Sequence, residues 1–263
     1  MENLLDTIRR RFHPLHKLRQ IKLFKFISRR LPDTSTKYCG IKMFLSPLRD
    51  ASWIALKYNM EVATRREFIK IIKAENIELF FDVGANLGAY TWTAREHGVK
   101  NSVMIEPDPI NSRLIRKTIA KNRINNCLLI EAAASRQVCL ETFYQDSLSG
   151  ATGSLVNQST LNGTLHNAYE VGKEQFQVLC LPLDIFEYMA MGKNALVKID
   201  VEGAELSALA GAKKFLEKIK PHLIIESFNY AEEIEQLLLP LGYQKQDLSD
   251  GGNILFSPSP LSL

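Results

Sequence analysis

Residues 80–90 read FFDVGANLGAY. The apolar residues around Asp82 have the character of a buried strand, and a helix is expected from about residue 88. Between them, Gly84, Asn86 and Gly88 follow Asp82 at strict two-residue spacing. A structural turn needs one glycine. Two glycines allow unusual φ values and close approach of the backbone to a guest. The free N–H groups of the helix start favour a carboxylate or phosphate. In open parallel sheets, ligands bind at such junctions, outside the carboxyl ends of the strands. The turn therefore predicts a nucleotide-type cofactor. A dinucleotide turn, G-x-G-x-x-G begun at Gly84, needs glycine at 86 and 89, where the chain has Asn86 and Ala89. Asp82 adds an anion from which a pyrophosphate gains nothing, whereas the ammonium and sulfonium of S-adenosylmethionine are attracted to it.

Outward from this turn the chain alternates strand and helix. ELFFDV, SVMIEP, CLLIEAA, FQVLCL, ALVKID and HLIIES are short apolar runs. Helical segments are expected at 88–97, 111–122, 184–191, 204–219 and 231–239. Such alternation predicts an α/β fold with a mainly parallel sheet covered on both faces. YQKQDL and NILFSP, around Asp250-Gly251-Gly252, read as a closing antiparallel hairpin. Upstream, Tyr38–Leu45 reads as short strands around Gly40 and residues 62–75 as a helix. The expected units are a helical extension over 1–35, a strand and helix cap over 36–77, and the main domain over 78–263. Residues 144–173 break the rhythm and read as a lid or substrate loop.

Two further segments carry chemistry. Glu106 ends the second strand, where an acid can accept hydrogen bonds from both ribose hydroxyls of a nucleoside. Asp108, between Pro107 and Pro109, is placed to cap the next helix. Ala132 and Ala133 end the third strand and are small enough for an adenine ring to approach. In LVKIDVEGAE, an extended 196–202 puts Lys198, Asp200 and Glu202 on one side. A lysine inside a parallel strand needs a partner, and Asp200 is the natural one. Glu205 on the following helix either joins this group or complements the helix dipole. Glu226 ends the next strand. Carboxylates clustered this way suit Mg²⁺, but Lys198 already neutralises part of their charge, and no metal site is expected.

The composition, 46% hydrophobic and 24% charged, is that of a globular protein. Residues 1–30 hold nine Lys/Arg against Glu2 and Asp6, so the rest of the chain is mildly acidic although the whole carries +4. Few aromatics interleave with the basic residues, which argues against nucleic acid as a substrate. Leu4, Leu5, Ile8 and Phe12, then Leu15, Leu18 and Ile21, give the basic segment an apolar face. Such a helix either lies peripherally on an anionic membrane or packs on the domain. No apolar run is long enough to span a bilayer and no secretory leader is legible, so a cytoplasmic location is expected. The four cysteines form no CxxC pair and read as free, core-type thiols.

These blocks together, FFDVGANLGAYT, IEPDP, LPLDIF and LVKIDVEGAELSALAGA followed by IIES, resemble the FkbM-type S-adenosylmethionine-dependent methyltransferases. The resemblance runs from about residue 78 to 228. It implies a Rossmann-like class I methyltransferase fold and O-methylation of a sugar, glycan or secondary-metabolite hydroxyl. Carried onto this chain, it places cofactor contacts on Asp82, Gly84, Asn86, Gly88 and Glu106, and the charged site on Lys198, Asp200, Glu202 and Glu205. Methyl transfer to a hydroxyl is helped by a base. Asp200 or Glu202 is expected in that role, with Lys198 orienting and Glu226 in reserve; His166, in the polar loop, is an alternative. The competing readings are a non-catalytic S-adenosylmethionine-binding protein and a nicotinamide-dependent oxidoreductase.

Overall fold

The computed structural model describes residues 30–50, 61–146, 150, 152–156 and 173–258. The basic segment to residue 29, and most of 144–173 with His166, lie outside the described residues. In chain order the strands are β1 (Thr34–Tyr38), β2 (Ile41–Leu45), β3 (Leu79–Val83), β4 (Asn101–Ile105), β5 (Cys127–Ile130), β6 (Ala133–Ala134), β7 (Cys139–Asp146), β8 (Lys173–Leu181), β9 (Ala195–Ile199), β10 (His222–Glu226), β11 (Gln244–Asp247) and β12 (Asn253–Ser257). The helices are α1 (Val62–Ala74), α2 (Ala89–Glu96), α3 (Pro109–Lys121), α4 (Glu187–Ala190), α5 (Glu205–Ala210), α6 (Lys213–Ile219) and α7 (Ala231–Leu238).

Seven strands form the main sheet in the order β11-β12-β10-β9-β3-β4-β5. β5, β4, β3, β9 and β10 are parallel, while β12 runs antiparallel to both β10 and β11. This is the expected mostly parallel seven-stranded sheet, with the C-terminal antiparallel hairpin at one edge. Both faces are covered, which explains the continuous apolar runs. Along β3, Phe81 and Val83 pack with Phe215, Leu209 and Ile234 on one face. Phe80 packs with Phe68, Ile71 and Tyr90 on the other. The chain works outward from β3 through β4 to β5, then resumes on the other side of β3 at β9. The strand order therefore reverses between β3 and β9, and a crevice opens at their carboxyl ends.

Two expectations need correcting. FQVLCL is not in the main sheet: β8 pairs along its length with β7, and with the short β6, in a separate three-stranded sheet. Val178 and Cys180 are buried while Gln177 and Leu179 are exposed, so the run alternates as an antiparallel strand covered on one face does. The helix expected over 204–219 is two helices. A β-carbon on Gly211 would overlap the Ser135 carbonyl, and Asp184 Oδ1 caps α6 by accepting from the Phe215 N–H at 2.9 Å.

Upstream, β1 and β2 form a hairpin turning at Cys39 and Gly40, both with positive φ. It docks on α3, where the Phe44 N–H donates to Thr118 Oγ1 at 3.0 Å. No helix among the described residues is long and apolar enough to cross a membrane.

Candidate active site

A crevice lies at the strand reversal, its roughly 620 Å³ of free space continuous with open solvent. Its walls come from the turn after β3 (Gly84, Asn86), the end of β4 and start of α3 (Glu106, Asp108, Asn111), Ala133 and Ala134, and the segment after β9 (Asp200, Val201, Glu202). Phe143, Ser154 and Leu155 close it from the β7 side. Four carboxylates line the crevice, and among the described residues no lysine or arginine does.

The opening turn divides its residues between this crevice and the core. Gly84 has φ +79°, and a β-carbon there would overlap the Asp200 carbonyl; its lack of a side chain lets β3 close against the segment after β9. Asn86, at φ +53°, turns its N–H to Glu106 Oε2 at 2.6 Å. Gly88 does not line the crevice: a β-carbon there would meet Met104 and Trp92. Asp82 does not line it either. Its Oδ2 accepts from the Thr91 hydroxyl at 2.6 Å and the Thr91 N–H at 3.1 Å. Gly88, the N-cap of α2, has no side chain to offer, and Asp82 supplies the missing acceptor from the preceding strand. Burial pushes the Asp82 carboxyl up to about 7, against the bonds from Thr91. Ala133 lines the crevice and Ala132 is buried behind it.

Glu106 is almost fully buried and heavily bonded. Oε2 accepts from Asn86, and Oε1 accepts from the Asp108 N–H at 2.8 Å and Asn111 Nδ2 at 3.4 Å. Burial first, and the charge of Asp108 second, push it up to about 8. Asp108 caps α3 as expected, accepting from the Ile110 and Asn111 N–H groups at 2.7 and 3.3 Å.

The second half of the site surrounds Lys198, which is fully buried. Its Nζ lies 3.5 Å from Asp200 Oδ2 and 3.8 Å from Glu226 Oε2, with the Tyr90 ring centre at 5.4 Å. Burial alone would lower the ammonium, but Asp200, Glu61 and Glu226 hold its pKa above the usual lysine range. Burial, then the charge of Asp200, push Glu226 up to about 10. Glu205 donates no group to this cluster; its Oε1 accepts from the Gly203 N–H at 2.7 Å, and burial raises it to about 7.

The expected ladder stops short of Glu202. β9 ends at Ile199, and Glu202 sits in a left-handed turn at φ +51° before Gly203. It lines the crevice, but its place near Lys198 is taken by Glu61, a residue the sequence reading missed. Carboxylate oxygens of Glu61, Asp200 and Glu226 lie within 4.8 Å of one another. Tyr90 donates its hydroxyl to Glu61 Oε2 at 3.0 Å, and Asn253 Nδ2 donates to Oε1 at 3.0 Å. Glu61 itself has φ +47° at the start of α1. A non-glycine residue in that region points to a constrained position, but no local sequence pattern marks it.

The family model described as the methyltransferase FkbM domain matches residues 82–245. No curated protein matches the chain. Among solved structures, it is similar to methyltransferase FkbM from Methylobacillus flagellatus KT, at 16% identity and a TM-score of 0.47, over 95% of this chain and 60% of that one. The chain thus spans about 60% of that protein's length. A methyltransferase from Geobacter sulfurreducens is 14% identical, with a TM-score of 0.43, over 89% of this chain and 95% of that one. TYW2 from M. jannaschii, solved with AdoMet, is 14% identical, with a TM-score of 0.38, over 85% and 83%. With a match covering more than half its length, the chain belongs to the FkbM methyltransferase domain family.

Proposed function

We propose that the protein is an S-adenosylmethionine-dependent O-methyltransferase acting on a hydroxyl of a sugar, glycan or secondary metabolite. The observation that carries this reading is the lining of the crevice: Glu106, Asp108, Asp200 and Glu202, with no basic side chain among the described residues. Asp108 and Asp200 are paired with Arg49 and Lys198 and burial raises Glu106, so the net charge of the wall is modest; a pyrophosphate still meets only acids there, whereas a guest with an ammonium and a sulfonium is complemented. Glu106 is the acceptor for the ribose hydroxyls, and Ala133, Ala134 and Phe143 offer a small, apolar surface for the adenine.

Bound S-adenosylmethionine supplies a methyl carbon made electrophilic by its sulfonium. The protein's part is alignment of the acceptor oxygen and removal of its proton. Asp200 lines the crevice and contacts Lys198, so it is the base in this reading. Lys198 fixes the carboxylate's orientation. Glu226, 3.8 Å from Lys198 and raised by its burial, stands in reserve on that side of the site. Glu61, anchored by Tyr90 and Asn253, completes the wall on that side. The acceptor is a small molecule or glycan rather than nucleic acid, and the basic residues 1–30 make a peripheral contact with an anionic membrane at its inner, cytoplasmic face.

The test is transfer of labelled methyl from S-adenosylmethionine into fractions of an extract of the source cells. Label should enter one acceptor fraction with the wild-type protein. Asp200→Asn should keep cofactor affinity within a few-fold and abolish transfer. Wild-type turnover in that variant removes Asp200 as the base, and tight cofactor binding without transfer to any fraction favours a non-catalytic binding protein.

A further inference from the structure

Arg49 lies outside the matched family segment, in the loop after β2, and is only 4% exposed. Its Nη2 donates to Asp108 Oδ2 at 2.7 Å, and its Nη1 to Asn111 Oδ1 at 2.6 Å. Nη1 also lies 3.4 Å from Asp50 Oδ1, while Asp50 Oδ2 closes the loop by accepting from the Ser46 N–H at 2.6 Å. On the β7 side, the Gly150 backbone comes so close that a β-carbon there would overlap the guanidinium.

The consequences reach Glu106. A guanidinium can only donate, so the Asn111 amide must present its oxygen to Arg49. That turns Nδ2 toward Glu106 Oε1. Arg49 likewise occupies Asp108 Oδ2, leaving Oδ1 to cap α3 and accept from Gln145 Nε2 at 2.9 Å. The Asp108 N–H then donates to the same Glu106 Oε1. Both donors that hold this oxygen therefore belong to residues gripped by Arg49. A stability role explains the arrangement poorly. Buried ion pairs are weak stabilisers relative to apolar packing, and Arg49 Nε is buried with no partner among the described residues, a cost those residues do not offset.

We propose that Arg49 is a positioning residue for the nucleoside end of the crevice: by gripping Asp108 and Asn111, it fixes the Glu106 carboxylate to receive the cofactor's ribose hydroxyls. The proposal rests on the S-adenosylmethionine reading above.

The test is a thermodynamic cycle by calorimetry on the full chain. Wild type, Arg49→Lys and Arg49→Gln are each titrated with S-adenosylhomocysteine and with its 2′,3′-dideoxy analogue, after a melting curve confirms folding. Lysine keeps the charge but lacks the planar fork that spans two acceptors. Wild type should prefer the ribose-bearing ligand by about tenfold or more, and both variants should lose about tenfold for it while losing less than about threefold for the analogue. Equal losses for the two ligands, or no loss for either, overturn the proposal, as does a wild type indifferent to the hydroxyls. Wild type that binds neither ligand overturns the cofactor reading itself, and this proposal with it. If Arg49→Gln fails to fold, the Arg49→Lys comparison decides.

Discussion

Replacing Glu106 by glutamine should change how stability depends on pH. Glu106 is 4% exposed. Burial and the neighbouring Asp108 raise its carboxyl from an ordinary 4.5 to about 8, despite N–H bonds from Asn86, Asp108 and Asn111. A carboxyl whose folded pKa exceeds its unfolded one binds its proton more tightly in the folded chain. Its contribution to stability is complete below pH 4.5 and is lost as pH rises through about 8. At about 1.4 kcal/mol per pH unit, the loss across that window is on the order of 5 kcal/mol. Asp82, Glu205 and Glu226 are raised in the same direction, so both proteins should weaken as pH rises. The difference between them isolates Glu106. Glutamine turns an amide N–H toward a donor and costs about 1–3 kcal/mol at every pH, so slopes are compared rather than absolute values. Urea denaturation followed through the fluorescence of buried Trp92 between pH 5 and 8 measures both slopes. Wild type should fall more steeply by several kcal/mol; parallel curves would refute the burial reasoning.

Asp82→Ala leaves the Thr91 N–H and hydroxyl without their acceptor, so it should cost about 1–3 kcal/mol of stability. Because Asp82 does not line the crevice, S-adenosylmethionine affinity measured by calorimetry should fall only a few-fold. Gly84→Ala forces a side chain to φ +79° against the Asp200 carbonyl. A chemical-denaturation curve should show a loss of about 2–5 kcal/mol. Turnover should fall by on the order of a hundredfold as Asp200 is displaced.

What could be read from the sequence were features fixed by local pattern. The apolar runs marked the parallel strands because both faces of the sheet are buried, and acids at strand ends marked the crevice because the carboxyl ends meet there. Asp108 could be read as a cap because it acts on N–H groups two and three residues away. The rest depends on contacts that no spacing encodes. Glu61 is held by Tyr90 and Asn253, 29 and 192 residues away. Arg49 reaches Asn111 across 62 positions. Asp82 was legible as special, but its partner Thr91 lies a turn and part of a helix beyond it, so its capping role was not legible. FQVLCL was assigned to the wrong sheet because it reads as an apolar run, while its partner β7, CLETFYQD, is only half-buried and carries no such run. The ladder was extended to Glu202 because no pattern shows that the strand ends at Ile199, three residues before it.

The central claim is that the acidic crevice between β3 and β9 takes a cationic nucleoside rather than a dinucleotide. Calorimetric titration of the full chain with S-adenosylmethionine, and separately with NADH, tests it most directly. Binding of one S-adenosylmethionine per chain, abolished in Glu106→Ala, with no heat from NADH, is the predicted result. Saturable binding of NADH with none for S-adenosylmethionine would contradict it.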